Sequence, residues 1–207
     1  MLGNDTLRDA VGVLCRDDPV LARVVDVFGT PPLWAREEGF ATLLLLVLEQ
    51  QVSLASARAV FDRLTARLGC TPTPEGLLEL ADDQLRADGF SRQKALYARS
   101  LSVALVDGSL DLAALRALDD DGAAAALTAF PGIGPWTADV YLVMALRRPD
   151  VFPGGDLALQ LAVQDLYELP ARPSPTELIL RAERWRPYRA VAARVLWQHY
   201  LGVRGRL

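Results

Sequence analysis

Asp156 is the residue whose type and setting could most directly do chemistry. It closes the run Val151-Phe152-Pro153-Gly154-Gly155 and opens a stretch with helical spacing. A lone Gly-Asp before a helix is first of all an N-cap, its carboxylate accepting hydrogen bonds from the first-turn amides. Capping also fixes the carboxylate, and a fixed carboxylate can stabilise developing positive charge or orient a water. One helix and one loop upstream lies the second informative segment, Leu127-Thr128-Ala129-Phe130-Pro131-Gly132-Ile133-Gly134-Pro135-Trp136-Thr137-Ala138. Its glycines sit one residue apart in a compact turn between two helices. The bland reading is a tight αα connection that needs glycine for its geometry. The functional reading is a cradle of N–H groups, backed by the next helix's N-terminus, which suits a phosphate.

Other chemistries are poorly supplied. Cys15 and Cys70 are the only cysteines and His199 the only histidine. Two cysteines far apart cannot supply an iron–sulfur cluster or a typical cysteine zinc site. A single histidine makes a His-rich metal centre or a Ser-His-Asp triad hard to build. His199 itself reads as an ordinary helix residue.

The elements that must position these residues read as helical nearly throughout, and an all-α fold is expected. Phe40–Gln51 is a continuous apolar run, expected as a buried helix. Ser53–Leu68 comes next, with apolar residues at spacings of three and four. Pro74–Leu80, Asp82–Asp88, Arg92–Val106 with Ser91 as N-cap, Asp111–Leu118 and Asp120–Ala129 continue the series. Trp136–Leu146, Asp156–Tyr167, Thr176–Arg184 and Pro187–Leu201 complete it. Alternating strand-like runs are scarce. The expected organisation is two lobes with Asp156 in the cleft between them. Residues 40–110 form the central helical lobe, and residues 1–39 with 111–207 form a lobe that carries the hairpin. Helices before Phe40 are expected to return onto the C-terminal lobe.

The chain has 207 residues, 51% of them hydrophobic, which is ample for a packed core. Its apolar runs fall far short of the roughly 20 residues of a membrane span, and its first residues lack the pattern of a signal peptide. A cytoplasmic monomer, associated with the nucleoid in a bacterium, is the expectation. Net charge is −4 and the isoelectric point about 5.1, which argues mildly against a nucleic-acid partner. The acidic residues concentrate early, whereas Arg172, Arg181, Arg184, Arg186, Arg189, Arg194, Arg204 and Arg206 face only Glu177 and Glu183 after Ala171. One basic face on a polar molecule fits that distribution, and so do solvated helix faces.

Phe130–Ala138, the Gly/Pro loop and its aspartate together closely resemble the helix-hairpin-helix DNA glycosylases. Leu48-Glu49-Gln50-Gln51-Val52-Ser53 and Gly89-Phe90-Ser91-Arg92-Gln93-Lys94-Ala95 resemble two further segments of that superfamily, and Ala182–Arg189 continues the match. The likeness runs from about Asp18 to Leu201 and is nearest to the bacterial alkylpurine branch, the 3-methyladenine DNA glycosylase II type, without the N-terminal β-rich domain of its larger members.

The resemblance implies a catalytic role for Asp156 and a base pocket containing Trp136 and Trp197. It implies DNA contacts at Gly132, Ile133, Gly134 and Thr137 of the hairpin. Gln51 would plug the gap left by a flipped base. Arg92 and Lys94 would meet phosphate, although helix capping by Ser91 and solvated charge explain that segment almost as well. It further implies a structural metal ion held by the carbonyls of Thr128, Phe130 and Ile133, with no cofactor for catalysis and no iron–sulfur cluster. Strand-nicking members carry a lysine where this chain has Trp136, so no lyase activity is expected. Val140 stands where some members have a pocket aromatic. The expected partner is double-stranded DNA with alkylated bases. The competing readings are a glycosylase for oxidised or deaminated purines, a binding module for damaged DNA that does no chemistry, and a helical protein-interaction domain.

Overall fold

A computed structural model describes residues 1–205, so Arg206 of the expected basic face lies outside the described residues. The fold is all-α, and among the described residues there is no strand. No described helix is long and apolar enough to cross a membrane. Cα proximity divides the chain into two compact units, Arg36–Tyr141 and a second made of Met1–Ala35 with the chain from Leu142 onward.

The first unit contains α3 (Phe40–Glu49), α4 (Leu54–Leu68), α5 (Pro74–Glu79), α6 (Asp82–Ala87), α7 (Arg92–Val106) and α8 (Asp120–Thr128), and α9 (Pro135–Met144) begins in it. Helix α3 is apolar on nearly every side and is buried accordingly, with Leu43, Leu44 and Leu46 fully enclosed. It packs on α4 and α7, and α7 also covers α5 and α6. Side-chain caps set the starts: Ser53 on the Ser56 amide, Thr73 on Gly76, Ser91 on Lys94 and Asp119 on Gly122. The expected helix at Asp111–Leu118 is only a 3-10 turn, Ala114–Ala117. Asp111 accepts from the amides of Ala113 and Ala114 and so sets a local turn, which leaves too few residues for an α-helix.

The hairpin falls in this unit with α3–α8, whereas the sequence places it with the C-terminal helices. Gln50, after α3, ties the hairpin to this unit, donating its amide to the Gly132 carbonyl and to Thr137 Oγ1, each at 2.8 Å.

The second unit joins α1 (Asn4–Asp17) and α2 (Pro19–Phe28) to α10 (Leu157–Leu166), α11 (Pro175–Ala182) and α12 (Arg189–Gly202). Helix α12 is its axis: α1, α2 and α10 pack on it, and Ala190–Leu196 is buried without interruption. The predicted Thr176–Arg184 helix ends at Ala182 and tightens into a 3-10 turn, Glu183–Trp185. Asp18 caps α2 and also accepts from Tyr167 Oη (2.6 Å) and the Trp185 indole N–H (2.9 Å), so the start of the chain is tied to its end.

The expected basic face needs correction. Arg194 is fully buried, donating to the carbonyls of Leu33 (2.9 Å), Ala190 (2.8 Å) and Val143 (2.7 Å). Burial pushes its guanidinium down to about 10, still charged at neutral pH. Arg186 and Arg189 are engaged by Asp150 and Glu183. Arg186 and Arg189 are paired with the protein's own carboxylates, and Arg194 is enclosed among backbone carbonyls.

Candidate functional site

The loop before Asp156 sets its carboxylate. The Gly154 amide donates to the Phe152 carbonyl and the Asp156 amide to the Pro153 carbonyl, both at 2.9 Å, which winds the segment tightly. Gln160, buried in α10, donates to the Gly154 carbonyl at 3.1 Å. A Cβ at Gly154 would lie 2.5 Å from Ile179 Cγ1 and 3.1 Å from the Pro175 carbonyl, so only glycine lets the loop sit this close to α11. Asp156 is thereby placed as the N-cap of α10, its Oδ1 accepting from the Leu159 amide at 3.1 Å.

The indole N–H of Trp197 donates to the same Oδ1 at 3.2 Å. Trp197 lies on α12 and is 8% exposed, so it is a fixed donor. Two donors from different helices define the carboxylate's position more tightly than capping alone. Asp156 is only partly exposed. A carboxylate so held can stabilise positive charge that grows nearby, because little reorganisation is needed when it appears. Asp156 and Trp197, nominated separately by the sequence, are thus brought together. Gln160 is not among the residues the sequence singles out. Its helical position marks it as buried polar, but no pattern in the sequence points it at Gly154.

In the other unit, the hairpin's two glycines play different parts. Gly132 has φ +89°, and a Cβ there would fall 2.4 Å from Tyr97 Cγ, so the fold itself requires glycine at this position. Nothing lies within 4 Å of a Cβ built on Gly134, and that residue is exposed. The protein's own packing gives no reason for glycine at 134, whereas close approach of an outside backbone would.

Several expected contacts change role. Ile133 is 4% exposed and its amide donates to the Phe130 carbonyl at 3.1 Å, so it anchors the turn and its N–H is spent inside it. Thr137 is 1% exposed with its hydroxyl receiving the Gln50 amide, so it braces the hairpin and cannot touch a phosphate as it stands. Lys94 is half-buried, and its ammonium donates to the carbonyls of Leu48 (2.6 Å) and Gln50 (2.9 Å) at the end of α3. Burial pushes that amine below the usual lysine range. Arg92 is exposed as the first residue of α7, and Trp136 is half-buried in the first turn of α9. Gln51 is exposed, with φ +58°, a left-handed conformation that side-chain-bearing residues rarely adopt. In Gln50-Gln51, then, the first glutamine holds the hairpin and the second points outward. Glu49, just before them, is clamped by Arg36 through two hydrogen bonds of 3.1 and 2.9 Å.

Comparison with known proteins adds a second line of observation. A family model described as "HhH-GPD superfamily base excision DNA repair protein" matches residues 44–187. The chain is 29% identical over 185 residues to a putative DNA-3-methyladenine glycosylase, YfjP, of Bacillus subtilis, an alignment covering 86% of this chain and 64% of that protein. It is 30% identical over 166 residues to DNA-3-methyladenine glycosylase 1 of Schizosaccharomyces pombe, covering 79% and 73% respectively. Among solved structures, a 3-methyladenine DNA glycosylase from Schizosaccharomyces pombe in complex with abasic DNA matches with a TM-score of 0.85 at 30% identity. That match covers 92% of this chain and 95% of that one. A DNA-3-methyladenine glycosidase from Bacillus halodurans matches with a TM-score of 0.79 at 29% identity, covering 95% and 91%.

Proposed function

This chain belongs to the HhH-GPD superfamily of base excision DNA repair proteins, and from that premise we propose that it is a monofunctional DNA glycosylase. The substrate is duplex DNA, and the reaction hydrolyses the N-glycosidic bond of alkylated purines of the 3-methyladenine and 7-methylguanine type. The single observation that carries the reading is the Asp156 carboxylate, held by the Leu159 amide and the Trp197 indole. The names borne by the relatives in Bacillus subtilis and Schizosaccharomyces pombe support the choice of substrate.

The chemistry is set by the charge on the substrate. An N3- or N7-alkylated purine is already cationic, so it departs with the bond's electron pair and needs little acid assistance. Positive charge then grows on the deoxyribose, as in glycoside hydrolysis. Asp156 stabilises that charge, orients the water whose oxygen bonds to the anomeric carbon and takes up the proton that this water gives up. The products are a free base and an abasic site. Trp136 occupies the position where a Schiff base would need a lysine, so the strand is left intact. Trp197, beside the carboxylate, offers indole surface to a cationic base, a contact worth roughly 0.5–2 kcal/mol.

DNA is gripped by main-chain amides at Gly132 and Gly134, helped by Arg92, which is compatible with the acidic net charge because such contacts need no excess of cations. Gln51 fills the space that a flipped base vacates. A hard cation, if bound, sits on the carbonyls of Thr128, Phe130 and Ile133. Thr128 ends α8, where carbonyls lack intrahelical partners. The Phe130 carbonyl already accepts from Ile133 and keeps a second lone pair. Such an ion would pin the hairpin and take no part in the reaction.

The test is base release from methylated duplex DNA by the wild type and Asp156→Asn. The expected result is release of methylated purines by the wild type, a loss of roughly 100-fold or more in the variant, and unchanged DNA binding. A wild type that binds but releases nothing would make this a damage-binding protein, and equal release by both proteins would move the chemistry off Asp156.

A further inference from the structure

The turn that carries Gln51 is energetically uphill on its own. A helix usually escapes through a left-handed residue that is glycine, yet here that residue is Gln51, with φ +58°. Two apolar residues just beyond it are also exposed, Val52 at 46% and Leu54 at 62%. A left-handed glutamine beside outward-facing apolar residues does not hold itself in place, so the bonds around it matter. On the N-terminal side, the carbonyls of Leu48 and Gln50 both receive the Lys94 ammonium, at 2.6 and 2.9 Å. A cation at this end of α3 also matches the helix dipole. The side chain of Gln50 meanwhile grips the Gly132 carbonyl and the Thr137 hydroxyl. The residue just before Gln51 is therefore held twice, by its backbone to α7 and by its side chain to the hairpin.

We propose that Lys94 is a positioning residue for the inserted side chain. Its ammonium, seated on the Leu48 and Gln50 carbonyls, holds the left-handed turn that presents Gln51, and through Gln50 keeps that turn in fixed register with the phosphate-gripping hairpin. This inference rests on the proposal that the protein flips bases and fills the gap with Gln51. It reassigns Lys94, whose place near a helix start otherwise suggests a phosphate contact. A half-buried ammonium seated on two carbonyls spends two of its three N–H groups on the protein.

The two roles separate by salt dependence. A lysine that neutralises a phosphate contributes about 0.9 to the slope of log affinity against log salt, whereas a positioning lysine contributes nothing. The probe is a duplex with one 7-methylguanine flanked by 2-aminopurine, whose fluorescence rises on unstacking. Binding is measured in an Asp156→Asn background, and base release in single turnovers with Asp156 intact. Lys94→Met is expected to keep affinity within about threefold and the salt slope unchanged, while the fluorescence rise and the rate of release fall about tenfold. Adding Gln51→Ala to Lys94→Met is expected to cost no more than Gln51→Ala alone, because both act through one side chain. Lys94→Arg, which keeps the charge and the apolar stem, is expected to recover part of the flipping signal and serves if Lys94→Met does not fold. A slope reduced by about one with flipping intact would make Lys94 a phosphate contact and overturn the proposal, as would fully additive losses in the double variant. If the wild type flips but releases no base, and Lys94→Met loses the flipping, the glycosylase reading fails and this one stands. If the wild type shows no flipping, both fall.

Discussion

The indole N–H of Trp197 reaches Asp156 Oδ1 across 41 positions of sequence, and the bond divides the work at the proposed reaction centre between two helices. Asp156 supplies charge, and Trp197 supplies direction. Exchange of Trp197 for Phe removes the donor together with part of the indole ring system, and keeps one six-membered aromatic face. A hydrogen bond to a charged group is worth about 1.5–3 kcal/mol, and the portion expressed in the transition state sets the rate. Trp197→Phe is therefore expected to slow single-turnover base release about tenfold with DNA binding unchanged. Release at the wild-type rate would show that capping of α10 alone orients the carboxylate.

At the scale of elements, the hairpin between α8 and α9 is fastened from its inner side. Gln50 holds Gly132 and Thr137, Tyr97 lies against Gly132, and Ile133 fills the core beneath. The outer side is what remains for a ligand. Alanine separates the two glycines. Gly132→Ala meets both a positive φ and the Tyr97 ring, and is expected to cost about 1–3 kcal/mol of stability, read by denaturant or thermal unfolding. Gly134→Ala should leave stability within about 0.5 kcal/mol yet weaken duplex binding about tenfold, because its methyl group projects where a DNA backbone is proposed to lie. Wild-type DNA affinity in Gly134→Ala would remove the hairpin from the proposed interface. The same element explains why Thr137, polar and near the turn, faces inward: it is buried beneath the hairpin, where its hydroxyl oxygen accepts from Gln50.

Across the whole molecule, Asp18 joins distant parts of the chain. It caps α2 and accepts from Tyr167, at the end of α10, and from Trp185, after α11. Burial opposes its ionisation, but the hydrogen bonds from Tyr167, Trp185 and the amides of Val20 and Leu21 outweigh burial and hold the carboxyl below the usual aspartate range. A carboxyl depressed on folding adds stability that is complete above its unfolded value, about 3.9, and is lost as pH falls through the lower folded value. The thermal stability of the wild type should therefore fall below about pH 4. Asp18→Asn should unfold about 2–4 °C lower at pH 7 and show a flatter acid limb. Parallel acid limbs in the two proteins would mean that other carboxyls govern acid unfolding.

The sequence by itself determined what depends on neighbours along the chain. Helical periodicity and capping residues located most helices, since burial of one face and satisfaction of first-turn amides are local requirements. The same locality made the Gly/Pro loop with Asp156, the PGIGP turn and the exposed Gln51 legible, and with them the family. It failed at Asp111–Leu118, where an aspartate bonded to nearby amides and the helix was lost. Tertiary structure decided the rest. Lys94, Thr137, Arg194 and Trp197 each carry polar groups whose partners lie far away in sequence, and a buried polar group takes whatever partner packing brings to it. Arg194 shows the consequence: composition counted it toward a basic face, while packing enclosed it among three carbonyls. Residue type states which bonds a side chain can make, but the partner is fixed only when the helices have met.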